Sequence, residues 1–324
     1  MKKIAYTLLL LFSATLLQAE ECPYHGELGR AYCDRDRDML ADSPTDPSQW
    51  IDPYELVFAY SPVEDPNVYK QAWGDFIRHL SRVTGKKVVF FPFQSNDAEI
   101  EAMRIGKLHV AGFNTGSNPK AVNCAGFHPI MMMGKADGSY GYEMEIITYP
   151  ASGINSIQDI SGQTVVFTAP SSNSGYKAPV ALLKEKFGLD KDKDYRYIFS
   201  GKHSNSLLSV AKHIYPIATI ANSVRKRIEK RKRIQKNQIK ILYTSQTFPT
   251  TGFGYAHNLK PSLVEKIRHA FETFPWIDQN GNPSSLLKEF SSSGYNKFIP
   301  LDYKKDFEII RLINKENAIT NQCR

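Results

Sequence analysis

The stretch Phe167-Thr168-Ala169-Pro170-Ser171-Ser172-Asn173-Ser174-Gly175-Tyr176 runs directly into the helical pattern KAPVALLKEKFG, residues 177–188. The β-branched run Thr164–Phe167 ends where it begins, so a strand leads through a hydroxyl- and amide-rich turn into a helix. The free backbone N–H groups and positive dipole end of that helix form a site for an anion. Ser172, Asn173 and Ser174 add side-chain donors at the same place. Ordinary capping would use only one of them, and on spacing alone both readings, ligand turn and cap, stand.

Three further segments have the same form. Phe199-Ser200-Gly201-Lys202-His203-Ser204-Asn205-Ser206 leads from a strand end into a helix and carries His203, which can donate to an anion. Gly112-Phe113-Asn114-Thr115-Gly116-Ser117 follows the strand that begins at Leu108, and Ala59-Tyr60-Ser61-Pro62-Val63-Glu64-Asp65-Pro66 ends the first strand. All four lie at C-terminal ends of strands, where open α/β sheets hold ligands.

Between these segments, short β-branched runs alternate with amphipathic ones. Strands are expected at Leu56–Tyr60, Lys87–Phe91, Leu108–Phe113, Tyr142–Thr148, Thr164–Phe167, Tyr195–Phe199, Ile214–Ile220 and Ile239–Tyr243. Helices are expected near Tyr69–Thr84, Ala98–Gly106, Gly175–Phe187, Ser204–Lys212 and Asn222–Gln235, and the chain from Pro261 reads as mostly helical. This alternation predicts an α/β protein with parallel sheets. Breaks at Tyr149–Asn155 and around Thr244–Pro249 predict two crossings, giving a first lobe of 54–149 and 245–324 and an inserted second lobe of 150–244. Ligand segments from both lobes then meet across a hinged interlobe cleft.

Composition narrows the function. The chain has 324 residues and a formal charge of +8, which could suggest a nucleic-acid binder. Residues 1–19 hold Lys2 and Lys3 and no acid, and Arg225–Lys240 holds nine basic residues against one acid, so the remainder is slightly acidic at −2. Val224, Ile228 and Ile234 put a partial apolar stripe on the basic segment, which reads as a surface helix lying away from the anion site. Polyanion binding through residues 225–240 is the alternative from another class, but the segment lacks the aromatic interleaving of single-strand binders. No nucleic-acid partner is expected.

The N-terminus, MKKIAYTLLLLFSATLLQA, has the charged start, apolar run and small final residue of a secretory signal peptide, with cleavage expected after about Ala19. The apolar run, about 14 residues, is short of the roughly 20 that a membrane span needs. A soluble, exported, periplasmic chain is expected.

Residues 20–53 read as a polar extension rather than core. Cys22 and Cys33 can close a small loop there; Cys124 and Cys323 can pair or remain two thiols. The run Asp34-Arg35-Asp36-Arg37-Asp38-Met39-Leu40-Ala41-Asp42 alternates carboxylates as calcium loops do, with Asp34, Asp36, Asp38 and Asp42 as candidate ligands. Met39 and Thr45 stand where such a loop needs glycine and a carboxylate, so a solvated acidic loop is the competing reading. No other cofactor is implied.

Catalytic signatures are thin: the sequence has no Gly-x-Ser-x-Gly elbow, P-loop or His-Glu-x-x-His. Binding without catalysis is the expectation.

Together, the Tyr60–Pro66 run, the Pro170–Tyr176 turn and Phe199–His203 resemble the substrate-binding proteins of phosphate/phosphite/phosphonate ABC transporters, over about Leu56 to Phe274. Thr84–Val88, Glu101–Lys107 and Ile154–Gly162 support the resemblance. It implies a type II periplasmic-binding-protein fold that captures phosphate, phosphite or a small phosphonate and delivers it to a separate ABC permease, with the binding protein a monomer. It also implies the site: Tyr60, Asn114 and Thr115 from the first lobe, and Ser172, Asn173, Ser174, Tyr176, His203 and Asn222 from the second. Asn173 replaces a hydroxyl in what is usually Ser-Thr-Ser. Two departures bear on the ligand: Asn222 stands where an acid is common, and the aromatic after the third strand is Phe113, next to Asn114, which cannot donate through a hydroxyl. A second use of the same fold is ligand sensing through a sensor kinase.

Overall fold

The computed structural model describes residues 22–319 and Cys323; the expected signal peptide lies outside the described residues. The chain first lays down β1 (Glu55–Tyr60), β2 (Lys87–Phe90), β3 (Val110–Phe113) and β4 (Phe127–Gly134). It then crosses to β5 (Tyr142–Thr148), β6 (Thr164–Phe167), β7 (Arg196–Phe199), β8 (Ile217–Ala221) and β9 (Lys240–Phe248), and returns as β10 (Gly252–Ala256) and β11 (Lys297–Pro300). Two sheets result, ordered β11-β4-β10-β3-β1-β2 and β7-β6-β8-β5-β9. Each is the centre of one lobe.

Each sheet contains both parallel and antiparallel pairs. β1 pairs in parallel with β2 and β3, and β6 with β7 and β8. β10 runs antiparallel between β3 and β4, and β5 runs antiparallel between β8 and β9. The expected parallel sheets are thus mixed: in the first sheet β4, β10 and β11 were not expected as strands, and in the second the expected strand β5 runs antiparallel to its neighbours. Pro129 and the methionine run obscure β4, and two glycines obscure β10.

The crossings also differ from the expected ones. β5 belongs to the second sheet, so the first crossing lies at 135–141, where Gly138 and Gly141 take positive φ. The break at Tyr149–Asn155 only turns the chain from β5 toward β6. The second crossing is 249–251, because β9 runs past the expected boundary to Phe248.

The first lobe closes on an aromatic core in which Trp73, Phe76, Phe253 and Phe298 pack with ring centroids 5.3–6.5 Å apart. Burying each such side chain contributes roughly 1.5–3 kcal/mol. The extension is not all surface: Leu28, Tyr32, Leu40 and Ala41 are buried in the core, and Ile51 bridges Leu259. Two disulfides form, Cys22–Cys33 within the extension and Cys124–Cys323, which ties the C-terminal end to the helix Asn118–Ala125.

Candidate functional site

The loops after β1, β3, β6, β7 and β8 meet the crossing 249–251 around a cavity of about 60 Å³ between the lobes. Seven of the expected residues line it: Tyr60, Asn114 and Thr115 from the first lobe, and Ser172, Asn173, Ser174 and His203 from the second. A cavity needs roughly 10–15 Å³ to take one water. The cavity is therefore large enough for more than one water and small for an organic ligand.

Local geometry makes the second-lobe turn a donor. Ser172 caps the helix, its Oγ accepting from Gly175 N at 3.0 Å. His203 Nδ1 accepts from Ala221 N at 3.2 Å, which places the neutral ring's proton on Nε2, 3.2 Å from Ser172 Oγ. Burial, followed by the nearby charge of Arg227, pushes His203 down to about 4, so the ring is neutral at pH 7. Ser172 Oγ accepts from both Gly175 and His203, and its own proton remains for a group in the cavity. The first turn of the helix is a π turn, Asn173–Lys177, before regular helix from Ala178 to Phe187.

The first-lobe residues have a different part. Asn114 Oδ1 accepts from Gly116 N and Ser117 N, both at 3.0 Å, and its Nδ2 donates to Asn96 at 2.8 Å. Thr115 donates to Pro249 O at 2.8 Å. These two side chains line the cavity while shaping its wall. Gly116 lets the lobes touch, because a Cβ there would lie 2.2 Å from Ser171 O. Across the same contact, Asn96 donates to Ser171 Oγ at 2.7 Å and Lys177 Nζ to Gly116 O at 2.7 Å.

Two expected residues are elsewhere. Tyr176 packs against Phe167 and Phe199, with ring centroids 5.2 and 5.0 Å away, because the π turn carries it outward. Asn222 turns to Glu143, accepting from its backbone N at 3.2 Å and donating to its carboxylate; the residues beside it, Ala221 and Ser223, face the cavity.

Other lining residues escaped sequence reading: Tyr142, Ser223, Arg227, Thr250, Thr251 and Tyr295. Thr250 and Thr251 lie on a crossing that was placed too early, and Tyr142 on a strand assigned to the wrong lobe. Arg227 corrects the reading of the basic segment. The helix Asn222–Lys230 does not lie apart from the cleft, and the arginines on it and just after it are paired: Arg225 with Glu145 and Glu229, Arg227 closely with Glu64 and at 3.7 Å with Glu289, and Arg231 with Glu64 and Glu289.

The acidic loop brings Asp34, Asp36 and Asp38 oxygens within 4.8 Å of one another. Asp42 instead accepts from Arg35 N at 2.8 Å and pairs with its guanidinium. The loop backbone already uses the other carboxylates: Asp34 accepts from Met39 N, Asp36 from Asp38 N and Asp38 from Leu40 N. Burial, with Asp36 and Asp34 nearby, pushes Asp38 up to about 6.

Two lobes closing over a small cavity rich in uncharged donors define a substrate-binding protein. The chain belongs to the family described as ABC transporter, phosphonate, periplasmic substrate-binding protein, whose model matches residues 58–307. This is a transporter family of binding proteins, not of enzymes. The chain is 26% identical over 247 residues, 73% of its length and 75% of the relative's, to the phosphate-import protein PhnD of Mycolicibacterium smegmatis. It is 23% identical over 223 residues to the phosphonates-binding periplasmic protein of Escherichia coli, covering 68% and 66% of the two chains. Among solved structures it is similar to a binding-protein component of an ABC phosphonate transporter from Pseudomonas aeruginosa, with a TM-score of 0.72 at 23% identity over 84% of this chain and 90% of that one. PhnD1 of Prochlorococcus marinus, solved in complex with methylphosphonate, gives 0.71 at 14% identity over 83% and 100%. These two structural likenesses carry the two-lobed fold.

Proposed function

We propose that this protein captures a small phosphorus oxyanion, namely phosphate, phosphite or methylphosphonate, between its lobes and delivers it to a separate membrane permease. The observation that carries this is the Ser172–His203 pair, which leaves a free hydroxyl proton facing a small, donor-lined cavity at a helix start. The small volume of the cavity suits compact anions of this kind. The chain acts as an exported monomer after cleavage near Ala19, and the reading needs no cofactor.

A melt panel of phosphate, phosphite, methylphosphonate, aminoethylphosphonate, sulfate and arsenate tests it. A ligand that binds only the folded state at 100 times its Kd raises stability by about 2.7 kcal/mol. The first three should raise Tm most, with Ser172→Ala and His203→Ala each reducing the rise. No response to any anion overturns the oxyanion reading, and a response untouched by both substitutions overturns the site.

A further inference from the structure

The second lobe sends a buried arginine to the wall of the cleft. Arg227 borders the cavity beside Tyr60 and Tyr295, and its side chain is 3% exposed. Its Nε and Nη2 donate to Glu64 Oε1 at 3.0 and 2.9 Å; Glu64, 2% exposed, belongs to the first lobe. One turn along the same segment, Arg231 donates to Glu64 Oε2 at 2.6 Å and pairs with Glu289, also of the first lobe. The Tyr69 hydroxyl adds a third kind of donor to Glu64, at 3.0 Å.

A guanidinium has five N–H groups. Glu64 takes two of Arg227's and Ser293 Oγ a third at 3.4 Å, so Nη1 and Nη2 each keep one N–H without an acceptor among the described residues. The charge is felt around the cavity: after burial, Arg227 is the largest influence on His203, Tyr60 and Tyr295. Burial pushes the Glu64 carboxyl up, but Arg227 and Arg231 outweigh it and hold it below the usual carboxylate range, so the pair is ionised.

We propose that Arg227 is a ligand-contacting residue and that Glu64 is a built-in anion that holds it across the cleft and shares it with the bound oxyanion. This rests on the oxyanion reading. A buried arginine without a close counter-charge is strongly destabilising, so the folded chain relies on Glu64, at 2.9 Å, more than on Glu289, at 3.7 Å. The same carboxylate offsets the positive charge that an arriving anion would feel. Glu64 therefore favours the folded chain and opposes the ligand. A merely structural latch would favour both.

The test is calorimetric titration with inorganic phosphate and with methylphosphonate, beside ligand-free melts, on the full mature chain. Glu64→Gln should lower the ligand-free Tm yet tighten binding, while Arg231 and Glu289 still join the lobes. Arg227→Met should weaken binding roughly ten- to a hundred-fold, the effect of losing a hydrogen bond from a charged group. In that variant Glu64 keeps Arg231, so the chain stays folded. The double variant, with no unpaired charge on either side, should regain the Tm that Glu64→Gln lost and still bind weakly. Wild-type affinity in Arg227→Met or in the double variant overturns the proposal, as does weaker binding in Glu64→Gln. If the unaltered protein binds neither anion, the oxyanion reading falls with it.

Discussion

Of the helix starts that face the cleft from the second lobe, two are built by opposite means. The turn at Ser171–Gly175 has no charged side chain; it relies on a cap, a neutral imidazole and a free hydroxyl proton. The helix Asn222–Lys230 has no side-chain cap and is crowded with cations, nearly all of whose inward-facing charge is matched by Glu64, Glu145, Glu229 and Glu289. A count of lysines and arginines thus says little about where an anion binds. What matters is which donors are left over once the protein's own acceptors have been served.

The largest effect is expected where the basic helix is anchored within its own lobe. Arg225 donates to both oxygens of Glu145 at 2.7 and 2.8 Å, and the Glu145 side chain is 4% exposed. Arg225→Ala leaves that carboxylate buried and unpaired, which costs about 3–5 kcal/mol. Urea unfolding measures it, and a loss below 1 kcal/mol would mean that the charges here are decoration. Next is Ser172→Ala in the uncharged turn, which removes the cap and costs about 1 kcal/mol. Phosphate or methylphosphonate should also raise its Tm less than that of the unaltered protein; an unchanged rise would show that the cap is only a cap.

How far the sequence revealed this comparison depends on range. The turn was legible because its chemistry is local: a strand end, consecutive donors and a helix start lie within ten residues. The parallel βα units were legible for the same reason, from β-branched runs alternating with amphipathic helices. β10 was not, because Gly252 and Gly254 have poor strand propensity. Gly254 is there for a long-range reason, since a Cβ would meet His128 O at 1.9 Å. Arg227 was hidden in the same way. Nothing near it in sequence distinguishes it from Lys226 or Arg233; its partner Glu64 lies 163 residues away.

Acid should separate the two regions by a smaller effect. His203 is held at about 4 in the folded chain, mainly by burial and then by Arg227. Its unfolded value is roughly 6.5. Between those values the unfolded chain binds a proton that the folded chain refuses, so this histidine's contribution to stability is lost as pH falls through that window. His203→Gln should therefore show a shallower drop in Tm from pH 7 to 5 than the unaltered protein. An equal drop would mean that the folded ring takes up its proton as readily as the unfolded one, so that burial does not hold it neutral.

The smallest effect is expected at the outer end of the basic segment. Arg233 and Lys236 are exposed, and no salt bridge involves either among the described residues. Surface substitutions of this kind fall within about 0.5 kcal/mol. Physiological salt also screens the field of exposed charges over a Debye length of about 8 Å. Arg233→Ala with Lys236→Ala should leave both Tm and phosphate affinity near those of the unaltered protein. If affinity instead falls along with that of Arg227→Met, the cleft reads the net charge of the whole segment, and the contrast between leftover donors and paired cations no longer holds.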